Sequence, residues 1–147
     1  MSPRHASAAL EAEGGCLCAA VRYRASGTPL ARSRCHCRSC RLAAGSAGVA
    51  WVIFARNDFT LLQGALSRFA SSPTVVRTFC GVCGTSISYE PSDAPNQIEI
   101  TTATFDDPEL FAPEREVWVS ERVKWQPLDP SLKHYRQGSS KESDGAS

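Results

Sequence analysis

The sequence predicts a mainly β protein, with antiparallel sheets packed face to face and little helix, and three observations support this. The apolar runs are short and end at turn residues such as Gln63 and Gly64. Helical signals are confined to residues 39–44 and to a segment after Pro130. The seven cysteines fall into three tight groups, which is typical of a metal-stabilised chain. Short strands joined by close turns favour antiparallel pairing in two packed layers.

Each predicted strand is an apolar or alternating run that stops at a turn residue. In chain order the predicted strands are 18–23, 48–54, 59–62, 67–70, 75–79, 86–89, 97–102 and 116–119. Both ends of the chain are small and polar, so we expect one domain over 14–137 between flexible tails at 1–13 and 138–147. A chain of 147 residues that is 42% hydrophobic can bury a core without disulfides.

The charges are unevenly distributed although the net charge is only +1. Residues 14–57 contain seven arginines and no Asp or Glu, whereas residues 85–121 contain nine acids and Arg115 as the sole cation. The near-neutral balance and the few lysines argue against nucleic-acid binding. The sequence also lacks an apolar stretch near the ~20 residues that cross a bilayer. We therefore expect no nucleic-acid partner and no membrane partner, while the oligomeric state is not predicted.

A disulfide framework explains the cysteines poorly. Their number is odd, so at least one thiol would stay unpaired. The first thirteen residues lack the apolar run of a secretory signal, which predicts a cytoplasmic protein with reduced thiols. Metal binding is the preferred interpretation.

Two cysteine pairs predict a closed structural zinc site. Cys16 and Cys18 are spaced i, i+2, which places both on one face of a strand. Cys80 and Cys83 have the two-residue gap of a zinc knuckle, and Gly84 follows them to allow a bend. Four thiolates complete a tetrahedral zinc ion, and such closed coordination is structural.

The remaining triplet, Cys35, Cys37 and Cys40, supplies three thiolates within six residues. Three protein ligands leave a fourth position for water or substrate, which is the pattern of a catalytic zinc. A different partition, with the triplet and Cys80 at one ion and the other three cysteines at a second, is also compatible with the spacing. His36 lies between two ligands and is expected to point away from their ion, where it packs or contacts substrate.

Arginines flank the triplet at Arg34, Arg38 and Arg41. Their guanidinium groups are candidates to offset thiolate charge or to hold an anionic substrate through bidentate hydrogen bonds. Three aromatic residues are candidates either for a substrate pocket or for the core: Trp51, Phe54 and Trp118.

Over about residues 14–128 the chain resembles the glutathione-dependent formaldehyde-activating enzyme family, whose domain is shared with centromere protein V. The matching motifs are Gly14-Gly15-Cys16-Leu17-Cys18 with Val21-Arg22-Tyr23, Cys35-His36-Cys37-Arg38-Ser39-Cys40-Arg41 with Gly45-Ser46, Arg77-Thr78-Phe79-Cys80-Gly81-Val82-Cys83-Gly84-Thr85, Thr104-Phe105-Asp106-Asp107-Pro108, and 118–125. The chain departs from the family pattern at Ala19, where glycine is frequent, and at Glu116, where histidine is common.

The resemblance implies an Mss4-like fold with two zinc ions per chain, one structural at the two pairs and one catalytic at the triplet. It also implies a carbon–sulfur lyase that joins formaldehyde and glutathione into S-hydroxymethylglutathione. The expected partners are then a small thiol and an aldehyde, with the arginines near the triplet and His36 as substrate contacts. Two other functions remain open: a noncatalytic zinc-stabilised binding module, and metal or redox handling by the triplet.

Overall fold

The computed structural model describes residues 10–138, and its smaller sheet has three antiparallel strands. They lie in the order β1 (Glu11–Gly15), β2 (Arg22–Ser26) and β5 (Phe59–Gln63). Alternate side chains of β2 are buried, as a strand with one face on the core requires. This small sheet covers one face of a much larger sheet.

The larger sheet has eight strands. From one edge to the other they are β11 (Lys133–His134), β10 (Arg115–Val117), β3 (Ala31–Cys35), β4 (Val49–Ala55), β9 (Gln97–Thr101), β8 (Ser86–Pro91), β7 (Val75–Cys80) and β6 (Leu66–Ser72). One α-helix, α1 (Arg38–Ala44), is found within residues 10–138, and short 3-10 turns span Arg56–Asp58, Thr102–Thr104, Pro108–Phe111 and Val119–Glu121. Over the same residues, no helix has the length and apolar character needed to traverse a bilayer.

The main core lies between the two sheets. Tyr23 from the small sheet and Phe54 from the large sheet are both fully buried. Phe105 and Phe111 seal one side, with their ring centroids 4.7 Å apart. Phe54 therefore belongs to the core and not to a pocket, whereas Trp51, on the opposite face of the same strand, packs in a second cluster with the triplet cysteines.

The mainly β architecture with little helix is confirmed, but several predicted elements differ. β10 runs parallel to both β3 and β11, so the large sheet is mixed at one edge. The helix expected after Pro130 is absent from the described chain, which instead forms a turn and then β11. The strand predicted over 18–23 begins only at Arg22, because the preceding residues form a turn.

Besides β11, two strands were not predicted, because their sequences are polar. β1 carries Glu11 and Glu13, and β3 carries Arg32 and Arg34, so neither presents an apolar run. The boundary predicted for the N-terminal tail is therefore wrong at residues 11–13, which belong to β1. The remainder of that tail, residues 1–9, and the C-terminal tail beyond Gly138 lie outside the described residues.

Arginines of the acid-free segment form ion pairs with acidic residues of the second segment, so the fold brings the two unevenly charged parts of the chain together. The parallel pairing of β10 with β3 aligns Glu116 with Arg34, and these two side chains form an ion pair. Nearby, Arg32 Nη2 lies 3.2 Å from Glu114 Oε1. The acid-free segment is thus neutralised largely from within the protein, which leaves fewer of its arginines for a ligand.

Candidate functional site

Four cysteine side chains converge at one end of the molecule. All four Sγ atoms, from Cys16, Cys18, Cys80 and Cys83, lie within 4.8 Å of one another. The Sγ atom of Cys18 is 3.7 Å from that of Cys16 and 3.8 Å from that of Cys80. A tetrahedral zinc ion with Zn–S bonds of about 2.3 Å requires sulfur atoms about 3.8 Å apart. The geometry of this four-cysteine site fits zinc.

Two turns hold the four-cysteine site together. Val82 N and Cys83 N point at the Cys80 Sγ atom, at 3.4 and 3.5 Å, and Gly84 (φ 84°) closes that turn. Cys16 and Cys18 lie in the turn that follows β1 and not on a strand, and they converge by a bend at Ala19, whose φ is 69°. This corrects the expectation that a shared strand face brings them together.

The second cysteine group assembles within one short segment. Cys35 ends β3, Cys37 caps the N-terminus of α1, and Cys40 lies in the first turn of that helix. Their three Sγ atoms lie within 4.8 Å of one another, and Cys40 N donates to Cys37 Sγ at 3.3 Å. Cys80 belongs to the other group, so the structure favours the four-plus-three partition.

In each group the pKa of at least one thiol lies below its ordinary value. Hydrogen bonds from Cys35 and Cys40 lower the pKa of Cys37 to about 2, while the same contacts raise the pKa of Cys35. In the four-cysteine site, hydrogen bonds with Thr85 lower the pKa of Cys83 to about 5. Because the thiolate is the form that binds metal, both groups are chemically suited to a soft divalent ion.

A cavity of about 640 Å³ opens over the triplet on the outer face of the large sheet. Its floor includes Cys35, Cys37 and Cys40, and its walls include Trp51, Tyr89 and Trp118. Its volume is within the range of small-molecule sites and is far larger than formaldehyde needs. The four cysteines of the other site do not line this cavity within residues 10–138.

Trp118 is held in the cavity wall by an unusual backbone conformation. Its φ is 57° and its ψ is 38°, the left-handed region that a bulky residue seldom adopts. Its backbone N–H donates to the Gln137 carbonyl oxygen at 3.0 Å, and this contact fixes the bend. The resulting strain is borne at a residue that shapes the cavity.

Two charged residues near the triplet were given no role in the sequence analysis. Arg77 is buried, its Cζ atom lies 4.9 Å from the centroid of the Tyr89 ring, and its Nη2 atom is 3.8 Å from Cys40 Sγ. Glu99 pairs with Tyr89 in the sheet register and lines the cavity. Burial raises the pKa of Glu99 to about 7, although Arg77 opposes this shift. In the sequence, the only sign of these two residues is that each charged residue stands among apolar residues in its strand, β7 or β9, and this pattern does not identify a ligand site.

Of the predicted substrate contacts, Arg34 and His36 instead bind Glu116. His36 Nε2 lies 2.7 Å from Glu116 Oε1, and Arg34 pairs with the same carboxylate. The Asp129 backbone N–H also donates to Glu116, at 2.8 Å. Burial acts to raise the pKa of Glu116, but the hydrogen bonds from these groups outweigh it and hold the pKa at about 2. Glu116 is fully buried, so this residue, which stands where the family commonly has histidine, acts within the protein interior.

The other two predicted contacts lie on α1. Arg38 is exposed, and its backbone N–H donates to Glu121 Oε1 at 2.7 Å. Arg41, further along the helix, is half-buried. Among the described residues that line the cavity, none of the four predicted contacts is found, neither these two arginines nor Arg34 and His36.

Comparisons with known proteins place the chain in a family. A lyase of Schizosaccharomyces pombe, described as uncharacterized, is 27% identical over 112 residues, which cover 76% of this chain and 81% of the yeast protein. The crystal structure of a Rhodobacter sphaeroides protein shares the fold with a TM-score of 0.56 and 21% identity, over 68% of this chain and 94% of that one. Residues 11–121 match the family model for the glutathione-dependent formaldehyde-activating enzyme. This chain therefore belongs to that family.

Proposed function

We propose that this protein is a zinc-dependent carbon–sulfur lyase that joins a thiol to a small aldehyde, or cleaves the adduct, at the triplet. The observation that carries the proposal is the position of Cys35, Cys37 and Cys40 on the floor of the 640 Å³ cavity. Three thiolate ligands leave one position of a tetrahedral ion for a substrate, and the cavity supplies the approach. The four-cysteine site has a complete ligand set and would hold a second, structural zinc ion.

The reaction forms one carbon–sulfur bond. The thiol sulfur attacks the aldehyde carbon, the carbonyl π electrons move to oxygen, and the proton lost from the thiol is balanced by protonation of that oxygen, so the product is an S-hydroxyalkyl thioether, a hemithioacetal. A zinc ion held by the triplet would supply a Lewis acid that stabilises the substrate as a thiolate at neutral pH.

The chain's own residues would prepare this step. The guanidinium of Arg77, beside Cys40 Sγ, offsets part of the negative charge of three clustered thiolates. The rings of Trp51 and Trp118 exclude water from the walls around the reacting sulfur. The Glu116 network fixes His36, and through it the backbone between Cys35 and Cys37.

The test must separate catalysis from the spontaneous reaction of thiols with formaldehyde. Exchange between free formaldehyde and its thiol adduct at equilibrium can be measured by NMR magnetisation transfer, with and without the zinc-loaded protein. We expect acceleration by the wild type and a loss of about a hundredfold or more in Cys37→Ser, with Ser39→Ala on the exposed side of α1 as the matched control. Unchanged exchange rates with the wild-type protein would contradict the lyase and favour a noncatalytic zinc-stabilised module.

A further inference from the structure

The cavity above the triplet has an acidic lining. Two carboxylates line it, Glu99 from β9 and Asp93 from the β8–β9 turn, and among residues 10–138 no lysine or arginine does. Glutathione carries two carboxylates and one ammonium group. Its carboxylates would therefore meet like charge at the wall and would lack a cationic partner there.

Glu99 is the better placed of the two carboxylates. It is half-buried, it lies beside Tyr89 and Ile53 in the sheet register, and no hydrogen-bond partner for its carboxylate is found in the described part of the chain. A partly desolvated carboxylate without such a partner is unfavourable unless a ligand completes it.

Arg77 does not provide a hydrogen-bond partner for the Glu99 carboxylate. Its Nε atom contacts Ser71 Oγ at 3.3 Å, its Nη2 atom contacts Cys40 Sγ, and its guanidinium stacks over Tyr89. The side chain is 7% exposed and does not line the cavity. Its Nη1 atom is buried without a hydrogen-bond partner in the described part of the chain, and its charge acts on Glu99 as well as on the triplet thiolates. No Arg77 atom donates a hydrogen bond to the Glu99 carboxylate, which remains open to a ligand.

The aromatic walls favour the same kind of ligand. The rings of Trp51 and Tyr89 lie 5.9 Å apart at 60°, and Trp118 is held in the left-handed conformation on another wall. Faces of tryptophan and tyrosine attract cations, and the attraction increases where water is excluded. One face of Tyr89 is already covered by the Arg77 guanidinium, so an ammonium group would lie against Trp51 or Trp118, in the cavity that Glu99 also lines.

We propose that the cavity selects an aminothiol, with the thiol at the triplet and the ammonium group at the Glu99 carboxylate between the aromatic walls. The assignment of the thiol to the triplet rests on the proposed function, whereas the preference for an ammonium group rests only on the residues that line the cavity. The substrate class is then a small thiol with a terminal ammonium group and no nearby carboxylate, and the S-hydroxyalkyl aminothiol is the adduct.

Three thiols of matched length separate the charge states: 2-aminoethanethiol, 2-mercaptoethanol and mercaptoacetate. Their dissociation constants, and that of glutathione, can be measured calorimetrically on the zinc-loaded protein at pH 8, with zinc content checked afterwards. We expect 2-aminoethanethiol to bind about tenfold more tightly than 2-mercaptoethanol, and mercaptoacetate to bind most weakly. In Glu99→Gln this preference should fall to within about twofold, with the affinity for 2-mercaptoethanol unchanged, and the exposed control Glu109→Gln should retain it.

The ligand series in the wild type can overturn the proposal even if Glu99→Gln folds poorly. Tightest binding of mercaptoacetate or glutathione would overturn the proposal and indicate that Arg77 becomes accessible to a carboxylate. Absence of binding by all four thiols, or a preference for 2-aminoethanethiol that survives in Glu99→Gln, would also overturn it. An ammonium preference without aldehyde exchange would support this inference while contradicting the lyase, so the two failures are distinguishable.

Discussion

The four-cysteine site and the triplet use the same ligand chemistry in opposite ways. Cys18 and Cys80, whose Sγ atoms are in contact in the four-cysteine site, are 62 residues apart in the sequence. Cys35 and Cys40, in contrast, lie within one short segment, at the end of β3 and in the first turn of α1. Closing a long loop costs conformational entropy, and a metal ion bound at the four-cysteine site would offset that cost and stabilise the fold. The triplet is nearly formed by local structure, so an ion bound there would contribute less to the fold and would be free to bind a ligand in the cavity.

The largest expected effect tests this difference between the four-cysteine site and the triplet directly. Cys83→Ser should lose one zinc ion per chain and the folded state with it, because the turn after β7 would no longer be tied to the turn after β1. Cys37→Ser should also lose one zinc ion but should keep its folded circular-dichroism spectrum and a cooperative thermal transition. Zinc per chain and melting temperature are measured together on each variant.

Ser86→Ala, close to the four-cysteine site but not a ligand, is a suitable control for the handling of the protein. Equal unfolding in both cysteine variants would contradict the division into a structural and a ligand-binding site. Retention of two zinc ions by Cys37→Ser would contradict the triplet as a metal site.

The comparison also explains how far sequence alone could reach. Cysteine spacing is a covalent property of the chain, so it predicted both ligand groups, and the turn glycine Gly84 supported one of them. The cavity depends on which strands become neighbours, and the parallel pairing of β10 with β3 has no local signature. That pairing directs Arg34 to Glu116, while Arg77 and Glu99 approach the triplet from strands that are distant in sequence.

The buried carboxylate beside the triplet provides the second prediction. Glu116→Ala leaves Arg34 and His36 without their partner, so we expect a loss of about 3–5 kcal/mol in the free energy of unfolding. Urea denaturation of the zinc-loaded protein measures it. The same substitution at Glu121, an exposed acceptor of the Arg38 N–H, should cost less than about 1 kcal/mol.

If Glu116→Ala is as stable as the Glu121 control, the network does not support the loop that carries Cys35 and Cys37. The triplet would then be held by its own hydrogen bonds and by helix α1 alone.

The carboxylate of Glu99 in the cavity should destabilise the folded state at neutral pH, in contrast to the carboxylate of Glu116. Burial raises the folded-state pKa of Glu99 to about 7 from an ordinary value of 4.5, against the influence of Arg77 and with a contribution from Cys37. Tyr89 also faces it across the sheet. An acid with a raised folded pKa destabilises the folded state above that pKa, and the penalty fades as the pH falls toward 4.5.

We therefore expect Glu99→Gln to be more stable than the wild type by about 1–2 kcal/mol at pH 8, with the difference shrinking toward zero near pH 5. Urea denaturation at both pH values measures this difference. A variant that is less stable than the wild type at pH 8 would indicate that Glu99 contributes to the fold, and the distinction between the cavity carboxylate and Glu116 would fail.

The smallest effect concerns the backbone, because each site contains one non-glycine residue with positive φ: Ala19 at the four-cysteine site and Trp118 at the cavity. At Trp118 the side chain shapes the cavity, so the strain has a use. At Ala19 the exposed methyl group contributes nothing comparable, and the left-handed conformation costs about 1–2 kcal/mol in an L-residue. Ala19→Gly should therefore stabilise the zinc-loaded protein by about 0.5–1 kcal/mol in urea denaturation, after the entropy cost of glycine is subtracted.

The neighbouring residue provides a matched control with the opposite sign. Ala20 does not have positive φ, so Ala20→Gly should destabilise by about 0.5–1 kcal/mol through the unfolded chain alone. Equal destabilisation by the two substitutions would mean that the bend at Ala19 is imposed by the metal ligands at no cost to the backbone. Opposite signs would show that the four-cysteine site holds its turn against the local preference of the chain, as a site that stabilises the fold through distant ligands must.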